Sequence, residues 1–392
     1  MIRTEIPIRH GAARRARRRG AVIVYVASSV FVVMGFAALA IDIGRLYVSR
    51  TELQATADAA ALAAAERMLD QNRLRGVLEL NAILSAARSE AVAVAARHRV
   101  LNVTPVLDPT ADVLLGHLTD PRNPAEQLDY TTPASYNSAR VIARRNSIRN
   151  GPVEYLFATV FGHDQRNVGA EATATFRDHV VGYRVDDGTG NAELLPLALH
   201  LNAWLDLLSG SATTGDNWSY NPDTGEVTAG SDGILELNLY PGAGPTQLPP
   251  GNFGTVDIGS PNNSTADISR QIRYGVNAGD LAYFGGELRF GSDGTLTLNG
   301  DTGLSAAIKD DLLAIRGLPR SIPVFNAVSG PGNNANFTVV SFAGIRIMNV
   351  RLTGSMRTKE VIVQPAFVVD DAVITDASGS SYFVFDRVRL VR

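Results

Sequence analysis

The chain has 392 residues, 45% of them hydrophobic and 19% charged, which is length enough for two or three packed domains. It holds no cysteine, so a disulfide framework, a thiolate zinc site and a cysteine nucleophile are all excluded. The net charge of −3 conceals an asymmetry: residues 1–19 carry seven Arg against Glu5 and sum to +6, the remainder to −9, so no basic surface accompanies the tail and a nucleic-acid partner is unsupported.

The tail leads directly into "GAVIVYVASSVFVVMGFAALAI", Gly20 to Ile41, 22 residues without a charge. As a helix this run is about 30 Å long, the thickness of a bilayer's hydrocarbon core. The Arg cluster precedes it and balanced charges follow, so the positive-inside rule puts residues 1–19 in the cytoplasm and the bulk of the chain outside. Ala38-Leu39-Ala40 satisfies the small-x-small rule for a cleaved signal, but the apolar run exceeds a signal's usual length and helical patterning continues past it. The expectation is an uncut membrane helix over 20–43.

An Ala-rich helical segment is predicted over 44–97, as the span's continuation to about Asp70 with an optional bend at Gly44, then a second helix over 75–97. Ile43, Leu46, Leu53, Ala57, Ala60 and Ala64 recur at helical spacing and mark one face. Such a face lets another backbone approach closely, and the partner is either this protein's own globular part or another subunit.

The order Arg17–Gly20, Asp42, Gly44, Arg45, Leu53, Gln54, Ala57, Asp58, Ala59–Ala61, Leu62 resembles the N-terminal domain of TadG-like proteins of the Flp (tight-adherence) pilus-assembly system. Residues 137–176 are similar to the same proteins more loosely, with strands at 140–145 and 167–176 around an amphipathic helix at 152–162. The resemblance implies a pilin-like layout, a long N-terminal helix on a small β-sheet, with Gly20, Asp42, Gly44, Arg45, Leu53, Gln54, Ala57, Asp58, Ala60, Ala61 and Ala64 as signature and packing positions. Related prepilins are cut after a Gly with Glu five residues on; here Tyr25 stands at that place, and the uncut form is implied.

A pilin-like β-rich domain is expected over 98–180, then a strand-rich α+β region over 181–392. Helices are predicted at 195–208, 265–279 and 304–316, and strands at 233–240, 286–299, 321–328, 336–353, 359–369 and 381–391. "GEVTAGSDGILELN" (225–238) and "GELRFGSDGTLTLN" (286–299) are an internal repeat, each read as a hairpin around Gly-Ser-Asp-Gly.

Chemistry is sparse. Asp376, Ser378 and Ser380 fit the D-x-S-x-S cation loop of von Willebrand A domains, but only twelve residues follow Ser380 where that fold needs over a hundred, so a polar loop is expected. The His residues show no metal-ligand spacing, and Asp310-Asp311 reads as a solvated helix face. No catalytic residue, cofactor or metal is assigned, and no enzyme activity is expected. The reading is a single-pass bacterial inner-membrane protein, an accessory or structural component of a Tad/Flp-type pilus or related envelope machine. Its partners would be the lipid bilayer, other assembly proteins and, as an open alternative, copies of itself. A second reading is an envelope-anchored protein that binds a surface ligand through 181–392.

Overall fold

The structure is a computed structural model that describes residues 19–391 except 124, 187–189, 212, 241–252, 302, 331–333, 356–357, 377–378 and 380. The basic tail, Ser378 and Ser380 therefore lie outside the described residues.

The architecture is α+β, and it begins with one helix, α1 (Arg19–Arg67), of 49 residues. No Pro interrupts it, and it runs through Gly44 without a break. Its apolar part from Val22 to Ile41 touches almost nothing in the protein, and among the described residues it is the one helix long and apolar enough to cross a membrane. From Leu53 onward the same helix is buried along one face. After a 3-10 turn capped by Asp70, α2 (Val77–Ala95) runs back along it, burying Leu80, Leu84, Ala87, Ala91 and Ala95 at spacings of four and three.

The other side of α1 lies on an antiparallel sheet of β1 (Val113–Gly116), β2 (Ser138–Arg145), β5 (Val168–Thr175) and a C-terminal strand, Arg389–Leu390, in that order. Between β2 and β5 the chain makes a two-residue ladder of β3 (Val153–Glu154) and β4 (Gln165–Arg166). The amphipathic helix expected at 152–162 is reduced to one 3-10 turn, Ala158–Phe161, ended by Gly162 at φ 79°. The C-terminal strand, expected with the distal region, completes this first sheet instead.

The distal region contains β6 (Val180–Arg184), β7 (Leu197–His200), β8 (Trp218–Tyr220), β9 (Val227–Ala229), β10 (Leu237–Asn238), β11 (Phe253–Val256), β12 (Glu287–Arg289), β13 (Leu296–Asp301), β14 (Pro319–Ser329), β15 (Ala335–Arg351) and β16 (Glu360–Pro365). Successive pairings β15–β13–β11–β7–β14–β15 close a ring of five strands. β15 is 17 residues long and continues past the ring to pair with β16. Strand alternation sends Ala198, Val256, Leu298, Phe325 and Phe337 into one apolar cluster. It sends Leu197, Leu199, Ile322 and Val324 into another, which the short helices α3 (Leu201–Ser209), α4 (Thr265–Tyr274) and α6 (Lys309–Ala314) cover.

Several expectations are corrected here. Residues 195–208 are not one helix: Leu197–His200 form β7, and His200 caps α3 by accepting from the Asn202 N–H at 3.1 Å. A short apolar run has no periodicity that separates strand from helix, and the ring claims it. The helix at 265–279 stops at Tyr274, because Gly275 (φ 78°) passes so close to Ala192 that a Cβ would stand 2.2 Å from its carbonyl oxygen. A separate turn, α5 (Ala278–Ala282), follows with Asn277 as its cap. Asp311 is buried and paired with Arg273 of α4, so it is a tie between helices and not a solvated face.

The repeat is not a pair of hairpins. β9 pairs with β8 and β10 with β16; β12 pairs with β6 and β13 with β11 and β15. In both copies the Asp of Gly-Ser-Asp-Gly accepts from the N–H two residues on, Asp232 from Ile234 and Asp293 from Thr295, each at 3.0 Å. The Asp-Gly turn chemistry is as the sequence predicts, but it makes a corner that passes the chain from one sheet to another.

The first corner leaves Glu236 1% exposed, with one carboxylate oxygen accepting from the Trp218 N–H at 2.6 Å and the other without a partner. Burial, with Asp216 and Asp232 nearby, pushes its carboxyl up to about 7. The folded state thus holds a proton that the unfolded chain releases at a lower pH. Stability from this site is full below the ordinary Glu range and falls as pH rises towards 7. Glu236→Gln is expected to stabilise the protein relative to wild type by about 1–3 kcal/mol more at pH 8 than at pH 5, read from denaturation midpoints at the two pH values. An equal effect at both would contradict the assignment.

Candidate functional site: the seam between the long helix and its sheet

The residues with functional promise in the sequence lie on α1, and the structure distributes them along one seam. Leu53, Ala57, Ala60, Ala61, Ala64 and Ala65 are fully buried. Opposite them the sheet presents Ala139, Val141 and Ala143 of β2 and Ala172 and Ala174 of β5, and α2 adds Ala87, Ala91 and Ala95. The alternation Ala-x-Val-x-Ala in β2 and Ala-x-Ala in β5 puts these small side chains on one face. Ala against Ala brings helix and sheet backbones closer than Leu would allow, so α1 lies in a groove of its own protein. The question left open by periodicity is answered: the small face meets this chain's own sheet and second helix.

Polar ties punctuate the seam. Asp42 is 2% exposed, and its carboxylate accepts three successive backbone N–H groups: Leu156 at 2.7 Å, Phe157 at 3.0 Å and Ala158 at 2.7 Å. A carboxylate at the end of an apolar helix would be costly to bury without such donors. Three residues of loop backbone are in turn fixed by it. Glu52 accepts from the Leu101 N–H at 2.8 Å, holding a turn in which Leu101 has φ 47°. Gln54 donates to Asp58 at 2.8 Å and to the Glu171 carbonyl of β5 at 3.0 Å. Asp58 is thus half-buried and orients the Gln54 amide. Further along, Gln71 donates to the Phe367 carbonyl at 3.0 Å, reaching the distal region.

At the apolar end of α1 one position departs from the predicted face, with Asp42 buried in place of Ile43, while Leu46 is half-buried on it. Asp42 and Ser49 are buried, whereas Ile43 is 57% exposed. A count of apolar residues passes over a buried Asp, and its partners lie 114 to 116 residues away in sequence. Gly44 is exposed, and a Cβ there would meet nothing within 4 Å, so packing makes no demand for glycine. Arg45 is half-buried beside Asp42. Gly20 lies in the first turn of α1.

A cleft of about 490 Å³ opens where this layer meets the distal region, lined by Arg73, Tyr136, Leu207, Ile234, Phe367 and Phe383 among others. Arg73 is committed to structure: it donates to the Ala134 and Tyr136 carbonyls at 2.8 and 3.1 Å and lies over the Phe367 ring. Burial pushes its guanidinium down to about 10. Asp376 pairs with Arg289 at 3.2 Å. Among the described residues no group of three or more His, Asp or Glu is placed to hold a metal.

Two outcomes follow from the seam. Ala60→Leu should overpack it and destabilise the fold by about 1–3 kcal/mol in a denaturant titration. Leu at the exposed Ala55, five residues earlier, should change stability by no more than about 0.5 kcal/mol. Asp42→Ala should free the N–H groups of Leu156, Phe157 and Ala158, which will then exchange with deuterium roughly ten- to a hundredfold faster, matching about 1.5–3 kcal/mol of charged hydrogen bonding. Unchanged exchange at those three amides would show that the tie does not form.

No curated protein and no solved structure matches the chain. A family model does, and it covers the first residues of the span through the end of the Ala-rich seam: its description is "Putative Flp pilus-assembly TadE/G-like", and it matches residues 20–67. Those residues are, within the ends of the assignment, α1 itself. The chain therefore carries a TadE/G-like Flp pilus-assembly domain at residues 20–67.

Proposed function

We propose that the protein is a non-catalytic component of a Tad/Flp-type pilus assembly or related envelope machine, anchored by one helix in the bacterial inner membrane. Residues 1–19 lie in the cytoplasm and the bulk of the chain outside. The observation that carries this reading is the coincidence of the family match with a helix that is bare over its apolar half and docked over its Ala-rich half.

The docking of α1 changes where partners bind. Its small face is occupied by its own sheet, so contacts to other assembly proteins, or to a second copy, use what remains open. That is the apolar span, the outward stripe of Ile43 and Tyr47, and the distal region. An envelope-anchored binding protein shares the same anchor, and the cleft beside Arg73 is the concave surface its ligand would use.

A photo-cross-linking residue at Tyr47, with another at the outward-facing Ser85 of α2 as control, is introduced into the full chain in native membranes. Adducts with other pilus-assembly proteins at Tyr47, and few at Ser85, support the assembly role. An absence of such adducts at Tyr47 and at span positions such as Val30 would refute it and leave the binding-protein reading.

A further inference from the structure

Exposed apolar side chains are scattered singly over most of the described surface outside the span, as is normal for a folded protein. One place differs. Within six residues, Leu156, Phe157, Val160 and Phe161 are 53%, 42%, 83% and 75% exposed. Ile148, 85% exposed, sits in the turn just beyond the same end of the sheet, where Arg145 of β2 pairs with Val168 of β5. Left in water, such a cluster is a liability.

Its position supplies the occupant. The backbone of Leu156, Phe157 and Ala158 is bonded to Asp42, and Asp42 is the first polar residue after the uncharged run that ends at Ile41. The next ties up the helix, Glu52 to Leu101 and Gln54 to Glu171, are ten and twelve residues on, about 15 and 18 Å further from the span. The 3-10 turn therefore lies at the bilayer end of the domain, level with the point where α1 leaves its apolar stretch. Two Phe among aliphatic side chains, followed by His163, Asp164 and Gln165, have the composition of a segment at the boundary between headgroups and acyl chains.

We propose that Leu156–Phe161 is a second membrane contact, a wedge inserted into the outer leaflet's interface beside α1, with Asp42 as the hinge pin that sets its depth. This rests on α1 crossing the bilayer, the reading proposed above. A single helix fixes a domain at one point and leaves it free to tilt and swivel. Two contacts held together by three hydrogen bonds fix the height and orientation of the sheet above the membrane. Asp42 is then a positioning residue for the wedge.

Because the chain has no cysteine, single labels can be placed without removing any. Val160→Cys, Val30→Cys and Ser85→Cys in the full chain, each carrying an environment-sensitive fluorophore, are reconstituted at one protein per phosphatidylcholine/phosphatidylglycerol nanodisc. Lipid quenchers are carried near the headgroup end or the tail end of the acyl chain. Blue-shifted emission at position 160, quenched most by the headgroup-end label, with no quenching at 85, is the expected result. Adding Asp42→Ala should reduce the quenching at 160 and leave that at 30 unchanged. Quenching at 30 with emission at 160 like that at 85 would overturn the wedge and keep the span. Absence of quenching at 30 would remove the span, and the wedge with it.

Discussion

The structure depends on close approach between backbones. The apolar half of α1 is bare, so the domain must grip the helix over its other half alone. Here the grip is a groove floored by Ala139, Ala143, Ala172 and Ala174 and walled by Ala87, Ala91 and Ala95, into which Ala57, Ala60, Ala61 and Ala64 fit. Each contact contributes little area, but many occur at short range, and dispersion between close-packed atoms accumulates. A groove matched to methyl groups tolerates neither a larger residue nor a rotated helix. The seam therefore fixes which face of α1 remains outward, and with it the surface left for partners.

The polar ties specify what the small residues cannot. Ala faces are nearly smooth, and a helix could slide along one by a turn at modest cost. Asp42 accepts from three successive N–H groups of one loop, and Glu52 and Gln54 each bond to one backbone position elsewhere, so a shift of one turn would leave all three without their donors or acceptor. Register along the seam is set by these hydrogen bonds, and closeness by the alanines.

This division explains what was legible in the sequence. The uncharged run, the long helix, the Ala face and the α+β character all rest on local patterns, and they appear as read. The strands that the resemblance implies at 140–145 and 167–176 are present as β2 and β5. What local pattern could not carry were the destinations. Gly-Ser-Asp-Gly announces a turn but not whether its two strands rejoin each other, and in both copies they part. "LPLALHLNAWLDLL" contains a strand and a helix, because the closed ring supplies partners to Leu197–His200 that the segment cannot announce. Asp42 is visible as a signature position, but its partners come from beyond three intervening strands. The seam was legible as a face; its occupant, its register and its polar ends were not.

The strand Arg389–Leu390 closes the edge of β5, and beside it Arg177 bonds Asp386, a partner 209 residues away in sequence. The sheet that grips the anchor helix thus borrows its outermost strand from the far end of the sequence. During synthesis the helix, α2 and the first three strands emerge long before that strand does, and β5 presents an open ladder of N–H and C=O groups meanwhile. The distal region folds as an insertion between two parts of one sheet, and its completion delivers the closing strand. In chain order the helix comes before its sheet, and the strand that seals the edge of its seat comes only after β6–β16.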